Sequence, residues 1–359
     1  MNRIYNFSAG PATLPTDVLL EAQSELLDYQ GSGMSIMEMS HRGKYYDAVH
    51  QEALANFREL LEVPEEYAIL FLQGGATTQF SQIPMNLRGE GQVADYINAG
   101  AWSKKAIKEA KILGEVNIAA DCGSEIPTRQ ATQEELNLTP GAAYLHCCSN
   151  ETISGAQIKE FPKSDAPLVC DMSSDILSRR LKISDFGMIY AGAQKNLGPA
   201  GVTLVIIRKD LAERVSDKVP EMLRYSTHIA NDSLFNTPPT FGIYLLCLVT
   251  RWLKQHGGLE AMEALNDRKS GKLYAAIDAS DFYSGTAVKE FRSTMNVTYR
   301  LPTEELEKKF IAEATAKGLD GLKGHRSVGG IRASIYNAMP EAGVDALIAF
   351  MQEFEAANA

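Results

Sequence analysis

Residues 188–202 read MIYAGAQKNLGPAGV, and this stretch decides the fold that the rest of the chain supports. The apolar run 188–191 has the composition of a buried strand, and a glycine-rich loop then carries Lys195 toward the next apolar run. A lysine at the end of a buried strand costs desolvation energy unless its charge is paired or its pKa falls. A lowered pKa is what an amine needs to form a Schiff base. The alternative is a loop lysine that extends its charged end into water.

Short apolar runs alternate with helical patterns on both sides of this stretch, from about residue 16 to about residue 257. The alternation is typical of a mainly parallel sheet covered by helices, so we predict an α/β fold. The predicted strands are residues 68–72, 93–97, 142–145, 167–170, 188–191 and 202–207. The predicted helices are residues 16–30, 44–61 and 241–256.

The last third of the chain has a different pattern. After Gly257 and Gly258 it predicts helices and strands in turn, with strands at residues 293–301 and 331–336 and helices at 303–317 and 341–357. A chain of 359 residues exceeds the size at which one core usually stops growing. We therefore predict a large α/β domain over residues 16–257 and a smaller α+β domain over residues 1–15 and 258–359.

A second candidate, Asp171, follows the apolar run 167–170, one strand before Lys195. Ligands of open α/β sheets bind at the carboxyl ends of strands, so both side chains are expected at one edge of the sheet. A carboxylate beside a pyridine nitrogen keeps that nitrogen protonated, and the ring then accepts the electrons left when a substrate loses a proton. The pair predicts a pyridoxal-phosphate site. Taken alone, Asp171 has the alternative roles of a helix N-cap or an ion-pair partner.

Two further segments suit this cofactor. Residues 73–80, QGGATTQF, place two glycines between a strand and a helix, where backbone N–H groups and the helix dipole bind phosphate. They are not a nucleotide-binding P-loop, because no Gly-Lys-Ser/Thr follows, and a plain turn is the alternative. Trp102 follows the predicted strand 93–97 and suits stacking on an aromatic ring, with a place in the core as the alternative.

The charge distribution points to a small anionic substrate. A formal net charge of −10 argues against a nucleic-acid partner, which would require a basic surface. Two basic clusters nevertheless occur, SHRG at residues 40–43 and GHRSVGGIR at residues 324–332. Guanidinium groups bind carboxylate and phosphate oxygens in a bidentate manner, so the clusters predict a substrate that carries both groups. Solvated surface charge is the alternative.

The composition is that of an ordinary globular protein, with 45% hydrophobic and 22% charged residues. The five cysteines lack C-x-x-C spacing, so neither a disulfide framework nor a metal site is predicted. No apolar stretch approaches the roughly 20 residues that span a bilayer, and no signal-peptide core follows the N-terminus. We expect a cytoplasmic protein.

Five motifs, in this order along the chain, resemble the phosphoserine aminotransferase family. They are NFSAGP at residues 6–11, SHRG at 40–43, GAQKN at 192–196, FNTPP at 235–239 and GGIRASIYN at 329–337. The resemblance implies a class-V aminotransferase of the fold-type-I pyridoxal-phosphate enzymes, with a mainly parallel seven-stranded sheet. It also implies a homodimer with shared active sites.

The resemblance further implies a role for each site residue. Lys195 would bind the cofactor covalently, Asp171 would pair with the pyridine nitrogen, Trp102 would stack on the ring, and Thr152 would contact the ring hydroxyl. The cofactor phosphate would be held by Ala76, Thr77 and Gln194 and, from the partner subunit, by Asn236 and Thr237.

The implied substrate residues are His41, Arg42, His325, Arg326 and Arg332, with Arg332 as the carboxylate-binding fork. The implied reaction is reversible amino transfer from L-glutamate to 3-phosphohydroxypyruvate in serine biosynthesis. The alternatives still open are a cysteine desulfurase, an alanine–glyoxylate aminotransferase and a non-catalytic cofactor- or anion-binding module. The first needs a mobile nucleophilic cysteine, and the second has no need of a phosphate-binding His-Arg set.

Overall fold

The computed structural model describes residues 3–123 and 127–359. Its strands are β1 Tyr5–Asn6, β2 Tyr67–Leu72, β3 Ala94–Asn98, β4 Val116–Asp121, β5 Leu145–Cys148, β6 Asn150–Glu151, β7 Ala156–Gln157, β8 Leu168–Asp171, β9 Met188–Gly192, β10 Thr203–Arg208, β11 Ser284–Gly285, β12 Asn296–Arg300, β13 Leu319–Asp320 and β14 Ile331–Ser334. Its α-helices are α1 Thr16–Ser24, α2 Lys44–Leu60, α3 Gly75–Leu87, α4 Ala101–Leu113, α5 Lys209–Ala212, α6 Tyr225–Ala230, α7 Thr240–Gln255, α8 Gly258–Asp278, α9 Glu304–Ala316 and α10 Glu341–Asn358.

The central sheet of the described chain has seven strands in the order β2-β10-β9-β8-β5-β3-β4. Strand β10 runs antiparallel to both β2 and β9, and the other neighbouring pairs are parallel. A parallel pair requires a long crossover, whereas β9 and β10 are joined by one loop. That loop carries Lys195. The predicted α/β class with a mainly parallel sheet is confirmed.

Both faces of this sheet are covered, which explains why its strands are continuously apolar. All six residues of β2 are buried. Ile69 and Phe71 pack into one apolar cluster with α2 and α7, while Leu70 and Leu72 pack into another with α3 and α4. Alternate side chains of a strand point to opposite faces, so a sheet between two helical layers needs apolar residues at every position.

A third apolar cluster lies in the C-terminal region. Strands β11, β12 and β14 form an antiparallel sheet that packs with α9 and α10 around Phe310. Phe7 joins the same cluster, and β1 pairs with β13, so the N-terminal arm packs on this region. Helix α8 contributes Met262 to the large core and Leu273 to the small one. The predicted boundary at residues 257–258 stays a prediction, because this helix spans both cores.

Two predicted elements are wrong in position. The helix predicted over residues 16–30 ends at Ser24, because the chain leaves helical geometry to bury Tyr29 against Tyr45 and Tyr244. The strand predicted over residues 142–145 lies three residues further along the chain, at Leu145–Cys148. Its polar member, His146, is buried because its ring stacks on Tyr96 with 4.8 Å between centroids. Its Nε2 also lies 2.9 Å from the hydroxyl of Tyr190.

Within residues 3–123 and 127–359, no helix is long and apolar enough to cross a membrane.

All five cysteines are buried and unpaired by disulfides. The thiols of Cys147 and Cys170 lie 3.5 Å apart on neighbouring strands, and burial raises the pKa of the Cys170 thiol. Such thiols are poor nucleophiles, which removes the structural basis for a cysteine desulfurase.

Lys269 joins helix α8 to the segment that follows β14. Its buried ammonium donates hydrogen bonds to the carbonyl oxygens of Ile335, Tyr336 and Met339 at 3.0, 2.8 and 3.1 Å. Lys269→Met leaves the carbonyls of Ile335 and Met339 without this donor, while the Tyr336 carbonyl keeps its bond from Met339 N. The variant is expected to lower the free energy of unfolding by about 3 kcal/mol in denaturant titrations. Lys272→Met, on the exposed side of the same helix, should leave the transition nearly unchanged. Equal losses in the two variants would contradict this account.

Candidate active site

The site lies at the carboxyl ends of β8 and β9, where parallel strands deliver Asp171 and Lys195 to one edge of the sheet. Asp171 is the last residue of β8 and is paired in register with Tyr190 of β9. The chain continues past Gly192 into a turn in which Gly198 N–H donates to the Ala193 carbonyl at 2.9 Å. This turn points the Lys195 side chain back over the strand ends, as the sequence predicts.

The amine of Lys195 is enclosed by polar and aromatic groups. Nζ donates to Thr152 Oγ1 at 2.6 Å and lies 5.0 Å from the ring centre of Trp102. Burial lowers the pKa of Lys195, the nearby charge of Asp171 raises it in part, and Arg332 lowers it further. The amine therefore gives up its proton more readily than a lysine in water, which nucleophilic and base chemistry both require.

Asp171 is buried and held by one neighbour. Its Oδ1 accepts hydrogen bonds from Ser173 N at 2.9 Å and Ser173 Oγ at 2.6 Å, and that hydroxyl accepts from Gly192 N at 3.1 Å. Burial raises the pKa of Asp171, whereas Lys195 and the Ser173 donors lower it. Since both Ser173 donors bind Oδ1, the second oxygen is the one suited to a charged partner in the site.

Trp102 lies in the first turn of α4 with one face toward Lys195. Its Nε1 is buried and has no hydrogen-bond partner among the described residues. Lys105 Nζ also lies over this ring, 4.3 Å from its centre. The indole packs partly buried against the apolar cluster of α3 and α4, and both lysine amines lie over its ring, so its exposed part is available for ring stacking.

The glycine-rich loop after β2 has the predicted form. Gly74 and Gly75 have φ of +91° and +68°, and α3 begins at Gly75. A Cβ at position 74 would lie 2.1 Å from Thr78 Oγ1, so only glycine fits there. Ala76 and Thr77 form the first turn of α3, where backbone N–H groups lack intrahelical acceptors.

The other predicted phosphate residues lie near these elements. Gln194 adjoins Lys195 in the β9–β10 loop, and its carbonyl accepts from Ala12 N at 2.9 Å. Asn236 lines a cavity of about 230 Å³ with Gly74. Gln73 Nε2 donates to the Thr237 carbonyl at 3.3 Å, so residues 236–237 lie at the outer edge of the loop in their own chain. Their action on a partner subunit stays a prediction.

The C-terminal basic cluster reaches the site. Arg332 Nη1 donates to the Thr152 carbonyl at 3.4 Å, and its buried Nε has no partner in the described part of the chain. His325 Nδ1 lies 2.7 Å from Ser327 Oγ. Burial lowers the pKa of His325, and the nearby charges of Arg332, Arg326 and Lys105 lower it further. His325 therefore lies within the electrostatic range of both arginines of this cluster.

The N-terminal basic cluster, residues 40–43, lies directly before helix α2. Arg42 is exposed, and its backbone N–H donates to Ser40 Oγ at 3.3 Å. The buried Nε2 of His41 has no hydrogen-bond partner within residues 3–123 and 127–359. Neither side chain is among the charges that act on Lys195, His325 or Arg332. The place of His41 and Arg42 in the substrate site stays a prediction.

Three contributing residues were missed by sequence reasoning: Ser173, Lys105 and Glu151. Ser173 follows Asp171 by two residues, the spacing at which an Asp side chain commonly accepts a hydrogen bond from the backbone N–H. The sequence therefore contained a local signal for this contact. Lys105 follows Trp102 by one helical turn. Glu151 contacts Ser103 across 48 positions of sequence, so no local pattern could reveal it.

These residues fit pyridoxal phosphate. The enclosed amine of Lys195 can bond an aldehyde, the free oxygen of buried Asp171 can face a ring N–H, and Trp102 can cover the ring. The positive-φ glycines before α3 provide backbone N–H groups for a phosphate. The unpaired Nε of Arg332 leaves a donor for a substrate carboxylate.

Comparison with known proteins places the chain in a class and then in a family. The class-V aminotransferase family matches residues 4–347, so the chain belongs to the class-V aminotransferases. It is 55% identical to the phosphoserine aminotransferase of Desulfatibacillum aliphaticivorans and 56% to that of Laribacter hongkongensis, covering 99% and 98% of both chains. Within its class the chain belongs to the phosphoserine aminotransferase family.

Solved structures support the same family assignment. Phosphoserine aminotransferase from Bacillus circulans subsp. alkalophilus superimposes with a TM-score of 0.98 at 52% identity, covering 99% of each chain. The enzyme from Trichomonas vaginalis, solved with pyridoxal phosphate bound, has a TM-score of 0.95 at 43% identity over 98% of this chain and 100% of its own. The predicted fold-type-I architecture and the pyridoxal-phosphate cofactor are confirmed.

Proposed function

We propose that this protein transfers the amino group of L-glutamate to 3-phosphohydroxypyruvate, giving 2-oxoglutarate and O-phospho-L-serine in serine biosynthesis. The observation that carries the proposal is the enclosed amine of Lys195, which lies 2.6 Å from Thr152 Oγ1 and 5.0 Å from the ring centre of Trp102. Membership of the phosphoserine aminotransferase family supports the same reaction.

Lys195 has two tasks in this proposal. Bound pyridoxal phosphate supplies a protonated ring that accepts the electrons released when the substrate α-proton leaves. Lys195 would hold the cofactor through Nζ and, when that amine is free, would carry the substrate α-proton on the same atom. Because burial lowers its pKa, the amine is ready to act as a base near neutral pH. The Thr152 hydroxyl orients Nζ toward the ring.

The remaining cofactor residues hold the ring and its phosphate. Asp171 would keep the ring nitrogen protonated; burial raises the pKa of Asp171, and Lys195 and Ser173 offset part of that rise. Trp102 would cover one face of the ring, and Thr152 would contact the ring hydroxyl. The phosphate would bind the N–H groups at Ala76, Thr77 and Gln194, with Asn236 and Thr237 supplied by the partner subunit.

The two substrates share a carboxylate and differ in their second acidic group. Arg332 suits the carboxylate, because its Nε is unpaired among the described residues and its Nη1 is already fixed on the Thr152 carbonyl. His325 and Arg326 suit the phosphate, since both lie in the glycine-flanked loop beside Arg332. His41 and Arg42 complete this pocket only if a second copy of the chain brings them.

A homodimer accounts for the position of His41 and Arg42. The segment before them exposes several large apolar side chains, with relative exposures of 86% for Leu27, 42% for Met34 and 53% for Met37. Clustered exposed apolar side chains mark protein interfaces. We propose that two copies meet on this face and place Arg42 of each in the site of the other.

A cytoplasmic location fits a biosynthetic enzyme of this kind.

The reaction is tested by a coupled assay with glutamate and 3-phosphohydroxypyruvate. Turnover is expected with the phosphorylated acid and not with hydroxypyruvate at equal concentration. Lys195→Ala should lower the rate by roughly 10³-fold or more, since a general base contributes about 10²–10⁴-fold, while circular dichroism shows an intact fold. Substantial residual transamination in this variant, or equal rates with both acids, would overturn the proposal.

Arg332→Ala should weaken the binding of glutamate and 3-phosphohydroxypyruvate alike, because both present a carboxylate. The expected rise in KM is roughly 10²-fold, corresponding to the 2–5 kcal/mol lost when one partner of a buried charge pair is removed. Arg326→Ala is the matched control and should affect only the phosphorylated substrate. An effect of Arg332→Ala on a single substrate would show that the carboxylate binds elsewhere.

Shared sites are tested by mixing two inactive variants, Lys195→Ala and Arg42→Ala, after joint unfolding and refolding. In a mixed dimer one site lacks both residues and the other site has both. Random pairing makes about half of the dimers mixed, so activity returns to about a quarter of the wild-type value. Each variant refolded alone is the control. If the mixture stays as inactive as its components, Arg42 acts within its own chain.

A further inference from the structure

Glu151 is a buried carboxylate close to the site that contacts neither Lys195 nor Arg332 by a hydrogen bond within the described residues. It is the last residue of β6 and has a relative exposure of 0%. Its Oε1 accepts from Ser103 Oγ at 2.8 Å and Ser103 N at 3.3 Å, and its Oε2 lies 3.4 Å from Trp102 N. Burying a carboxylate costs free energy unless hydrogen bonds compensate for the lost water, and these three donors supply that compensation.

The donors belong to the first turn of α4, where backbone N–H groups have no acceptor within the helix. The residue before this helix is Gly100, which has no side chain to cap it. Glu151 therefore serves as the cap from another part of the chain, and its negative charge lies at the positive end of the helix dipole. The first turn that it holds contains Trp102.

Gly100 leaves the space that this arrangement needs. A Cβ at position 100 would lie 2.5 Å from Glu151 Cδ and 2.6 Å from Oε2. The φ of Gly100 is 163°, an extended value open to any residue, so backbone strain does not explain the glycine. The close approach of the Glu151 carboxylate does explain it.

The residues on either side of Glu151 contact the rest of the site. Asn150 Nδ2 donates to Asn296 Oδ1 of the C-terminal region at 2.7 Å. Thr152 accepts a hydrogen bond from Lys195 through its hydroxyl and one from Arg332 through its carbonyl. A single strand end thus contacts the cofactor lysine and the substrate arginine, and through Glu151 it also contacts the helix that carries Trp102.

We propose that Glu151 is a positioning residue for amino transfer. Its carboxylate holds the first turn of α4 and thereby fixes Trp102 at the distance from Lys195 that the cofactor ring requires. The proposal rests on the proposed function only for the stacking role of Trp102. Its charge also acts in the site, because Glu151 raises the pKa of Lys195.

The test uses the cofactor-loaded protein in a Trp252→Phe background, where Trp102 is the one remaining tryptophan. The measurements are the dissociation constant of pyridoxal phosphate, the quenching of Trp102 fluorescence by the bound cofactor, and the circular dichroism of the visible cofactor band. The last two report the relation between indole and cofactor ring and do not follow from stability alone. Neither substrate is present, so a failed amino-transfer assay would leave this test intact.

Glu151→Gln keeps the side-chain length but turns an amide N–H₂ toward N–H donors. We expect a native far-ultraviolet spectrum, about a ten-fold rise in the cofactor dissociation constant, and clearly reduced quenching and visible dichroism, because a buried donor loses its acceptor. Glu109→Gln is the matched control, since Glu109 lies on the same helix and accepts from Ser81 Oγ at 3.3 Å, away from Trp102. It should match the parent protein in all three measurements.

Gly100→Ala is the second variant and keeps the Glu151 charge. The added methyl group displaces the carboxylate without backbone strain, so the same changes in quenching and dichroism are expected. If Glu151→Gln fails to fold, Gly100→Ala decides the question. If Glu151→Gln or Gly100→Ala folds and shows the quenching and dichroism of the parent protein, the proposal is overturned. The same holds if Glu109→Gln changes quenching and dichroism as much as these two variants do.

Discussion

The attraction between Asp171 and Lys195 is the interaction on which the site depends. Each group is buried at the end of its own strand, and burial disfavours the charged form of both, raising the pKa of Asp171 and lowering that of Lys195. Each charge partly offsets this effect for the other. The Asp171 carboxyl and the Lys195 amine thus tune each other's pKa at one edge of the sheet, where a pyridine nitrogen needs an acidic partner and a Schiff base needs a free amine.

The C-terminal region takes part in the site as well as in the fold. Arg332 lies on β14 of that region and donates to Thr152 of the central part of the chain. Buried polar groups fix the two regions together. Asn296 accepts from Asn150, and its own amide donates to the hydroxyl of Tyr336, which in turn donates to the Ala9 carbonyl at 2.7 Å. Satisfied buried networks of this kind define one geometry, so Arg332 is held in a defined position beside Thr152.

The sequence alone predicted the parts of the site that lie at strand ends. Lys195, Asp171 and the Gly74 loop followed from apolar runs that stop at a chemically unusual residue, and the structure brings them to one edge. The role of Thr152 came only from the family resemblance. Glu151 could not be predicted, because a cap that reaches a helix from a distant strand leaves no periodic signal. The short helix α1 was predicted too long because aromatic packing of Tyr29 overrides local helix propensity.

The reversed strand β10 has a mechanical consequence for the lysine. Because β10 is antiparallel to β9, the connection that carries Lys195 is a closed hairpin loop, shut at its base by the Gly192–Thr203 pair and by Ala193 N donating to the Val202 carbonyl at 3.0 Å. Both arms of the loop are continuous with central strands. The amine is thus carried by a loop whose two ends are fixed in the sheet, and an insertion or deletion there would move the reactive nitrogen rather than be absorbed at the surface.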